Sequence, residues 1–299
     1  MMRRISLLVA VVAATSVVGA CQTPTAESPP TTGTVPGQPY PNWPPLLNDF
    51  RFQWTAEPGI DVTTGPAMVV RAYLESYGVA TYTLNTDNLF PGFRRATPEN
   101  QAPEGDFLWQ LVHIQPLGRG YTKTAKDARP SFGYVALHFL ELTPTGDGYR
   151  AIVCSGEYAH FIESDARPGK FVSVDVNQDT AQPFQQGDSG VYPYQIDLTQ
   201  HDPRLIPNPP APVTTTQRGP APAPNQDVFG DWFFTGASSS YWGPSNDRTS
   251  ADFPPPELKQ RCEAAMPSPK AERLAMMTGF KDQPPPHGEA IPGWPLQAK

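Results

Sequence analysis

The chain has 299 residues, with 22 Lys and Arg against 29 Asp and Glu, which gives a formal net charge of -7. The chain is acidic and its basic residues are scattered. Proteins bind nucleic-acid phosphates through clustered Lys and Arg, so this composition argues against a nucleic-acid partner. The 38 prolines exceed the usual share of about 5% and are concentrated in segments that divide the chain.

The first 20 residues have the composition of an export signal. Arg3 and Arg4 precede an apolar run over residues 5–18, and small residues follow it. The apolar run is too short to span a bilayer, which takes roughly 20 residues. We therefore predict a signal peptide over residues 1–20, and general export fits the residues after the arginine pair better than the twin-arginine route does.

The end of this signal carries a more specific motif. Val18-Gly19-Ala20-Cys21 resembles the lipobox of bacterial lipoproteins, and the Pro and Thr usage after Cys21 resembles that of actinobacterial, particularly mycobacterial, members. The resemblance, which is confined to residues 1–21, implies a diacylglyceryl thioether on Cys21 and acylation, for example with palmitate, of its new amino group. It implies an extracytoplasmic protein anchored to the cell membrane. An ordinary secretory signal with a chance cysteine is the alternative.

Two further cysteines, Cys154 and Cys262, remain once Cys21 is assigned to lipid. An even number of cysteines outside the cytoplasm indicates a disulfide. A bridge that closes a loop of this length is worth about 4–5 kcal/mol in the chain-entropy model. Two unpaired buried thiols are the alternative; neither cysteine has the spacing of a metal-binding or catalytic motif.

Residues 21–45 contain eight prolines and several threonines, which predicts an extended tether. An α+β core domain is predicted over residues 46–202. Its first strand is indicated by Phe50, Phe52 and Trp54, which alternate with polar residues. A helix is then predicted over residues 66–77, weakened or ended by a glycine at 78, and a buried strand over residues 107–114.

The strongest β signal is a hairpin over residues 132–142 and 149–162, joined by a Pro-, Asp- and Gly-containing turn. Both faces of its first strand are apolar, so the sheet should be covered on both sides or strongly curved. Further strands are predicted over residues 170–176 and 191–198. The fold class is therefore α+β, with one or two helices against about five antiparallel strands.

Proline content rises again after the core domain. Residues 203–226 are predicted to form a second linker, and residues 227–280 an aromatic and helical segment that packs on the core. Within that segment we predict helices over residues 257–265 and 269–278. Residues 281–299 form a Pro-rich tail, which either wraps a surface or frays.

Several patterns suggest chemistry, and each has a simpler structural interpretation. Gly187-Asp188-Ser189-Gly190 matches the nucleophile motif of chymotrypsin-like proteases, but no histidine has the sequence context of that family. Residues 175–179 have the Asp-x-Asn-x-Asp spacing of a calcium loop, whose later Gly and Glu are missing. His138 and His160 lie on the hairpin strands, where hydrogen-bonded packing is the simpler interpretation. We predict no catalytic residue, cofactor or metal ion.

Three aromatic positions resemble the exposed rings on which carbohydrate-binding proteins stack sugars. They are Asp231-Trp232, Tyr241-Trp242 and Trp294. Packing of irregular segments on the sheet is the alternative interpretation.

The helix followed by a two-sided antiparallel sheet is similar to the NTF2-like (cystatin-like) architecture, in which a curved sheet wraps a helix around a pocket. The resemblance implies a pocket between the helix and the hairpin. Its candidate lining residues are Val70, Tyr73, Tyr77, His138 and His160.

Three functions follow from these observations. The first is a non-catalytic, lipid-anchored envelope protein that binds or scaffolds another envelope component. The second is a carrier with a pocket for a lipid or another small apolar ligand. The third is an extracytoplasmic hydrolase that uses Ser189 or the region of His138 and His160.

Overall fold

The computed structural model describes residue 40 and residues 43–118, 120–205 and 209–296. The signal peptide and Cys21 lie outside these residues, so the lipid anchor stays a prediction. Within the described ranges, no helix is long and apolar enough to cross a membrane.

The described residues form nine strands and five α-helices, with short 3-10 turns between them. In chain order these are β1 (Asp49–Ala56), α1 (Gly65–Tyr82), α2 (Phe93–Ala96), α3 (Trp109–Val112), β2 (Phe132–Thr145), β3 (Gly148–Gly156), β4 (His160–Glu163), β5 (Phe171–Ser173), β6 (Val176–Asn177), β7 (Gln182–Pro183), β8 (Val191–Thr199), β9 (Phe233–Ser238), α4 (Pro256–Ala265) and α5 (Lys270–Met277).

Seven strands form one curled, largely antiparallel sheet that resembles half a barrel. Its order is β5-β4-β2-β3-β8-β9, and β1 lies beside β2. The predicted α+β class is confirmed. One pairing differs from the expected antiparallel pattern: β1 runs parallel to β2. The pairing begins where Asp49 lies opposite Phe132. The chain between them includes α1, and such a crossover is what brings two consecutive strands into parallel alignment.

Helix α1 begins at Gly65 and Pro66, where the fixed φ of proline suits the first turn. It continues past Gly78, where the sequence predicts weakening or an end. Gly78 serves packing: a Cβ there would lie 2.8 Å from the Phe52 ring. The missing side chain lets α1 lie directly on β1.

Two separate hydrophobic cores cover the two faces of the sheet. Val135, Leu137 and Phe139 of β2 belong to the first core, together with α1 and β1. Ala136 and Leu140 belong to the second core, together with α4 and α5. The prediction that the hairpin is covered on both sides is therefore confirmed.

A disulfide joins the second core to the C-terminal helices. Cys154 of β3 and Cys262 of α4 are bonded, and both are fully buried. The bridge links positions 108 residues apart, so it closes a long loop of the chain. Helices α4 and α5 match the two predicted C-terminal helices closely.

The strand predicted over residues 107–114 is wrong, because this segment contains the short helix α3. Its apolar residues fit helical spacing as well as strand alternation, and short apolar runs do not distinguish the two. The backbone N–H of Trp109 donates to Gly243 O at 3.0 Å, and Ser245 N donates to Phe107 O at 2.8 Å. These long-range bonds hold the segment against the loop that follows β9.

Parts of both Pro-rich C-terminal segments pack on the core. Within 209–226, Gln217, Ala221 and Ala223 are buried. The tail places Ile291 beside β1, where Trp54 N donates to Ile291 O at 2.6 Å. Trp294 then pairs with Ala221 through two backbone hydrogen bonds, of 2.7 and 3.0 Å. The two segments and the edge of β1 therefore form a continuous layer.

A buried charged pair on α1 lies beneath this layer. The Arg71 guanidinium donates to Gln217 O and Pro292 O, each at 3.1 Å, and stacks on the Trp294 ring 3.6 Å from its centroid. Glu75 accepts hydrogen bonds from the indole N–H groups of Trp54, at 2.9 Å, and of Trp294, at 2.6 Å. Arg71 Nε lies 3.8 Å from Glu75 Oε1. The pair connects helix, strand, linker and tail.

Candidate functional site

A cavity of about 220 Å³ lies between α1, α3, β8 and the end of β9. We call it the tyrosine pocket. Its lining residues are Tyr73, Leu74 and Tyr77 of α1, Trp109, Val112 and the adjoining His113, Tyr194 of β8, and Ala237, Ser238, Ser239, Ser240 and Tyr241.

Three of the lining residues are tyrosines, two from α1 and one from β8. The Tyr73 hydroxyl donates to Ile114 O at 2.8 Å, and its ring stacks on Phe234 at a centroid distance of 4.3 Å. Burial raises the pKa of Tyr194 to about 12, and burial also raises the pKa values of Tyr73 and Tyr77. All three hydroxyls therefore stay neutral at physiological pH.

The rim is formed by α3 and the loop after β9, which are joined by hydrogen bonds. Gly243 N donates to Gln110 Oε1 at 2.9 Å, in addition to the Trp109–Gly243 bond described above. A Cβ at Gly236 would lie 2.7 Å from Gln110, so glycine there is required for the close approach of α3 to β9. The rings of Trp109 and Tyr241 lie 4.7 Å apart at this rim. The hydrogen bonds therefore hold α3 against the loop that carries Tyr241.

Three consecutive serines that precede Tyr241 in the chain, Ser238, Ser239 and Ser240, also line the pocket. The Ser238 hydroxyl oxygen accepts from the backbone N–H groups of Ser240, at 3.2 Å, and Tyr241, at 3.3 Å. A hydroxyl that accepts in this way keeps its own proton as a donor. None of the twelve described lining residues is Asp, Glu, Lys or Arg. The pocket thus offers hydroxyl groups, aromatic faces and the imidazole of His113.

Of the predicted pocket residues, the structure brings Tyr73 and Tyr77 into this cavity. Val70 lies in the first core. His138 and His160 lie elsewhere and do not face each other, because His138 pairs with Cys154 while His160 pairs with Gly133. The chain turns between β3 and β4, which returns His160 to the beginning of β2.

The lining residues from α3, Tyr194 and the serines were missed by sequence reasoning. The one signal that pointed there is the Tyr241-Trp242 pair, since Tyr241 is 42% exposed at the pocket rim. Trp232 and Trp294, the other aromatics singled out, are buried packing residues.

Ser189 is fully buried, and its hydroxyl accepts a hydrogen bond from Arg273 Nη2 at 3.2 Å. A guanidinium is a permanent cation and cannot take a proton from the serine. The neighbouring Asp188 lies 4.0 Å from Lys259. The Gly-Asp-Ser-Gly motif thus forms a structural turn that contacts α4 and α5.

His160 takes part in an arrangement that sequence reasoning missed. Its Nε2 lies 3.0 Å from Ser131 Oγ and its Nδ1 lies 3.5 Å from Glu157 Oε2. The order serine, imidazole, carboxylate is that of a hydrolase triad. Ser131 is only 2% exposed, however, and Glu157 also accepts from Tyr82 and Ser155. The group therefore serves to join the beginning of β2 to the end of α1.

His138 has a comparable environment on the other face of the sheet. Its Nδ1 lies 2.8 Å from Thr55 Oγ1, and its Nε2 lies 3.4 Å from Glu57 Oε1. Thr55 is exposed and lines an open groove of about 450 Å³ that also contains Arg218 and Asp61.

The acidic loop over residues 175–179 is closed by its own side chains. Asn177 Oδ1 accepts from the backbone N–H groups of Asp179 and Thr180, each at 3.0 Å. Asp175 instead accepts from the Tyr192 hydroxyl at 2.5 Å, and burial raises its pKa to about 7. Within the described residues, no group of three or more His, Cys, Asp or Glu is arranged to hold a metal ion.

Comparison with known proteins returned no similar chain. No protein-family model matches the sequence, and neither the curated proteins nor the solved structures contain a match.

Proposed function

We propose that the protein is a non-catalytic binding protein of the cell envelope, which carries a small uncharged ligand in the tyrosine pocket. The observation that carries this proposal is the pocket itself, which is aromatic and has no Asp, Glu, Lys or Arg in its described lining. Concave, largely apolar cavities with a few polar groups are the usual form of small-molecule sites. The lipobox supports a location at the extracytoplasmic face of the membrane, through an acylated Cys21.

The pocket favours ligand carriage over a purely scaffolding role. A scaffold needs only an exposed surface, whereas Tyr73, Tyr77 and Tyr194 line a concave pocket. The small volume, about 220 Å³, excludes a complete two-chain lipid as the enclosed ligand. The ligand is therefore a small molecule or one end of a larger one.

Ligand-observed saturation-transfer NMR on the full chain tests the proposal. The probes are neutral and of three kinds: methyl glycosides, indole and 1-octanol. Ser240→Trp places an indole at the exposed edge of the pocket, and Thr249→Trp places the same side chain on the same loop outside the lining. Binding of at least one probe to wild type and Thr249→Trp, with loss in Ser240→Trp, is expected. Failure of every probe to bind would refute the proposal.

A second candidate function, ester hydrolysis, is favoured by the contact of Thr55 with His138. In this mechanism Thr55 Oγ attacks the ester carbonyl while His138 Nδ1 takes the hydroxyl proton, and the C–O bond to the alcohol breaks as the imidazolium returns that proton to the departing alkoxide. Water then hydrolyses the acyl-threonine, which releases the acid and restores the Thr55 hydroxyl. Hydrolysis of p-nitrophenyl acetate by wild type, Thr55→Val and the control Thr249→Val tests it. Equal rates in all three would remove this candidate.

A further inference from the structure

The lining of the tyrosine pocket combines two kinds of chemical group, and the combination indicates what kind of molecule it accepts. Trp109 and Tyr241 contribute aromatic rings, which we call the aromatic side, and Ser238, Ser239 and Ser240 contribute hydroxyl groups, which we call the serine side. We propose that the ligand is a neutral sugar ring, bound with one face on the aromatic side and its hydroxyl groups toward the serines. This inference rests on the proposed function and names the ligand class for the same site.

Charge is the first criterion. The described lining has no Asp, Glu, Lys or Arg, and the pKa values of Tyr73, Tyr77 and Tyr194 are raised, so these groups do not ionise at neutral pH. A buried ion without a partner costs several kcal/mol or more. The site therefore disfavours carboxylates, phosphates and amines, and it favours an uncharged ligand such as a neutral sugar.

The serine side distinguishes a sugar from a hydrocarbon. The Ser238 hydroxyl keeps its proton as a donor after accepting two backbone N–H groups. An acyl chain or a plain aromatic ring would cover the Ser238 hydroxyl without bonding to it, and a buried polar group left unpaired costs roughly 1–3 kcal/mol. A ring that bears several hydroxyls can both donate to and accept from these serines.

The aromatic side suits the apolar face of a sugar ring. The Trp109 and Tyr241 ring centroids are 4.7 Å apart and the rings are inclined by 36°, so the two rings contact each other at the rim. The C–H groups on one face of a pyranose can pack against such rings, which combine a large apolar area with a polar edge. Hydrogen bonds between α3 and the loop hold the rim, so little ordering is needed on binding.

The volume of the tyrosine pocket and its opening to solvent fit a single sugar ring. Drug-sized ligands occupy pockets of roughly 300–1,000 Å³, and this cavity, at about 220 Å³, is smaller. The mouth opens to solvent beside His113 and Tyr241, both exposed. A glycan could therefore insert its terminal residue and leave the remainder outside.

The experiment compares methyl α-D-glucopyranoside, methyl α-D-mannopyranoside and methyl β-D-galactopyranoside with indole and 1-octanol. Affinities for the full chain are measured by saturation-transfer titration. Tyr241→Ala removes one ring of the aromatic side, and its matched control Phe184→Ala removes an aromatic ring that is 67% exposed and lies outside the lining. We expect one glycoside to bind, at least tenfold weaker binding in Tyr241→Ala, and no change in Phe184→Ala.

The other outcomes separate the two proposals. Binding of indole or 1-octanol that Ser240→Trp blocks, with no glycoside bound, would overturn the sugar inference and leave the proposed function intact. Binding of a glycoside that neither Tyr241→Ala nor Ser240→Trp weakens would overturn the assignment to this pocket. No binding by any probe would overturn both.

Discussion

The side chain of Trp294 offers a direct test of how the tail is held on the core. It is fully buried, its indole N–H donates to Glu75 Oε2 at 2.6 Å, and its ring lies under the Arg71 guanidinium. Trp294→Phe keeps an aromatic ring in place and removes the N–H donor. Trp294→Ala removes both ring and donor.

The expected magnitude follows from these contacts. A hydrogen bond to a charged group contributes roughly 1.5–3 kcal/mol, and the weaker stacking of a cation on Phe than on Trp accounts for about 0.5–1 kcal/mol more. Trp294→Phe should therefore lower the free energy of unfolding by about 2–4 kcal/mol. Trp294→Ala should lower it further, because deleting a buried Trp side chain leaves a cavity, at a total of about 3–5 kcal/mol or more.

The assay is urea unfolding of the full chain, followed by circular dichroism at pH 8. Trp232→Phe is the matched control: Trp232 is also buried, and its indole N–H has no acceptor among the described residues. We expect it to change the free energy of unfolding by less than about 1 kcal/mol. Equal losses in Trp232→Phe and Trp294→Phe, or no loss in either, would refute the argument that the Glu75 hydrogen bond holds the tail.

Three further results are expected. Replacing both Cys154 and Cys262 by Ala should lower the free energy of unfolding by about 3–5 kcal/mol. A reductant should destabilise the wild type and leave the double variant unchanged. An unchanged denaturation midpoint in the double variant would contradict this prediction. Cys21→Ala should release the protein from the membrane fraction of a host that lipidates exported proteins, and normal retention would remove the anchor. Burial raises the pKa of Glu75 to about 7 from an ordinary value of 4.5. The folded state then binds the proton more tightly than the unfolded chain, so stability should fall as pH rises from about 4.5 to about 7 and level off above that. The Glu75→Gln variant should show a smaller fall in unfolding free energy over that range, and identical slopes would count against the assigned cause.

The elements that the sequence predicts well are those with strong local patterns. The hairpin of β2 and β3 has apolar residues on both faces of its first strand, and two cores cover those faces. Helix α1 shows apolar residues at helical spacing. The segment around Trp109 has no such local pattern, because its apolar residues fit both the helical and the strand period. Its conformation depends instead on two long-range hydrogen bonds, Trp109 N to Gly243 O and Ser245 N to Phe107 O.

Part of the candidate site could be predicted, because that part lies on a helix with a strong local pattern. Tyr73 and Tyr77 lie one turn apart on a predicted helix, so a pocket beside that helix could be inferred. The other lining residues include Trp109, Tyr194 and the serines at the end of β9, which are distant in the chain. Tyr194 and the serines meet because β8 pairs with β9, and Trp109 joins them because its backbone N–H donates to Gly243 O. No local sequence pattern predicts contacts between residues so far apart in the chain. His138 and His160 show that a correctly predicted hairpin does not fix which residues meet. The turn before His160 places it opposite Gly133, at the beginning of β2.

The Pro-rich segments show where composition gives least guidance. Low periodicity and many prolines indicate a linker or tail, yet Gln217 and Pro292 offer backbone carbonyls to Arg71. Extended proline-rich backbone does not use its carbonyls in regular secondary structure, so they remain available to a guanidinium. On α1, Arg71 and Glu75 would be read as an exposed i, i+4 pair. Their burial is possible only because the linker and tail supply hydrogen bonds to both charges, which makes these segments part of the folded core.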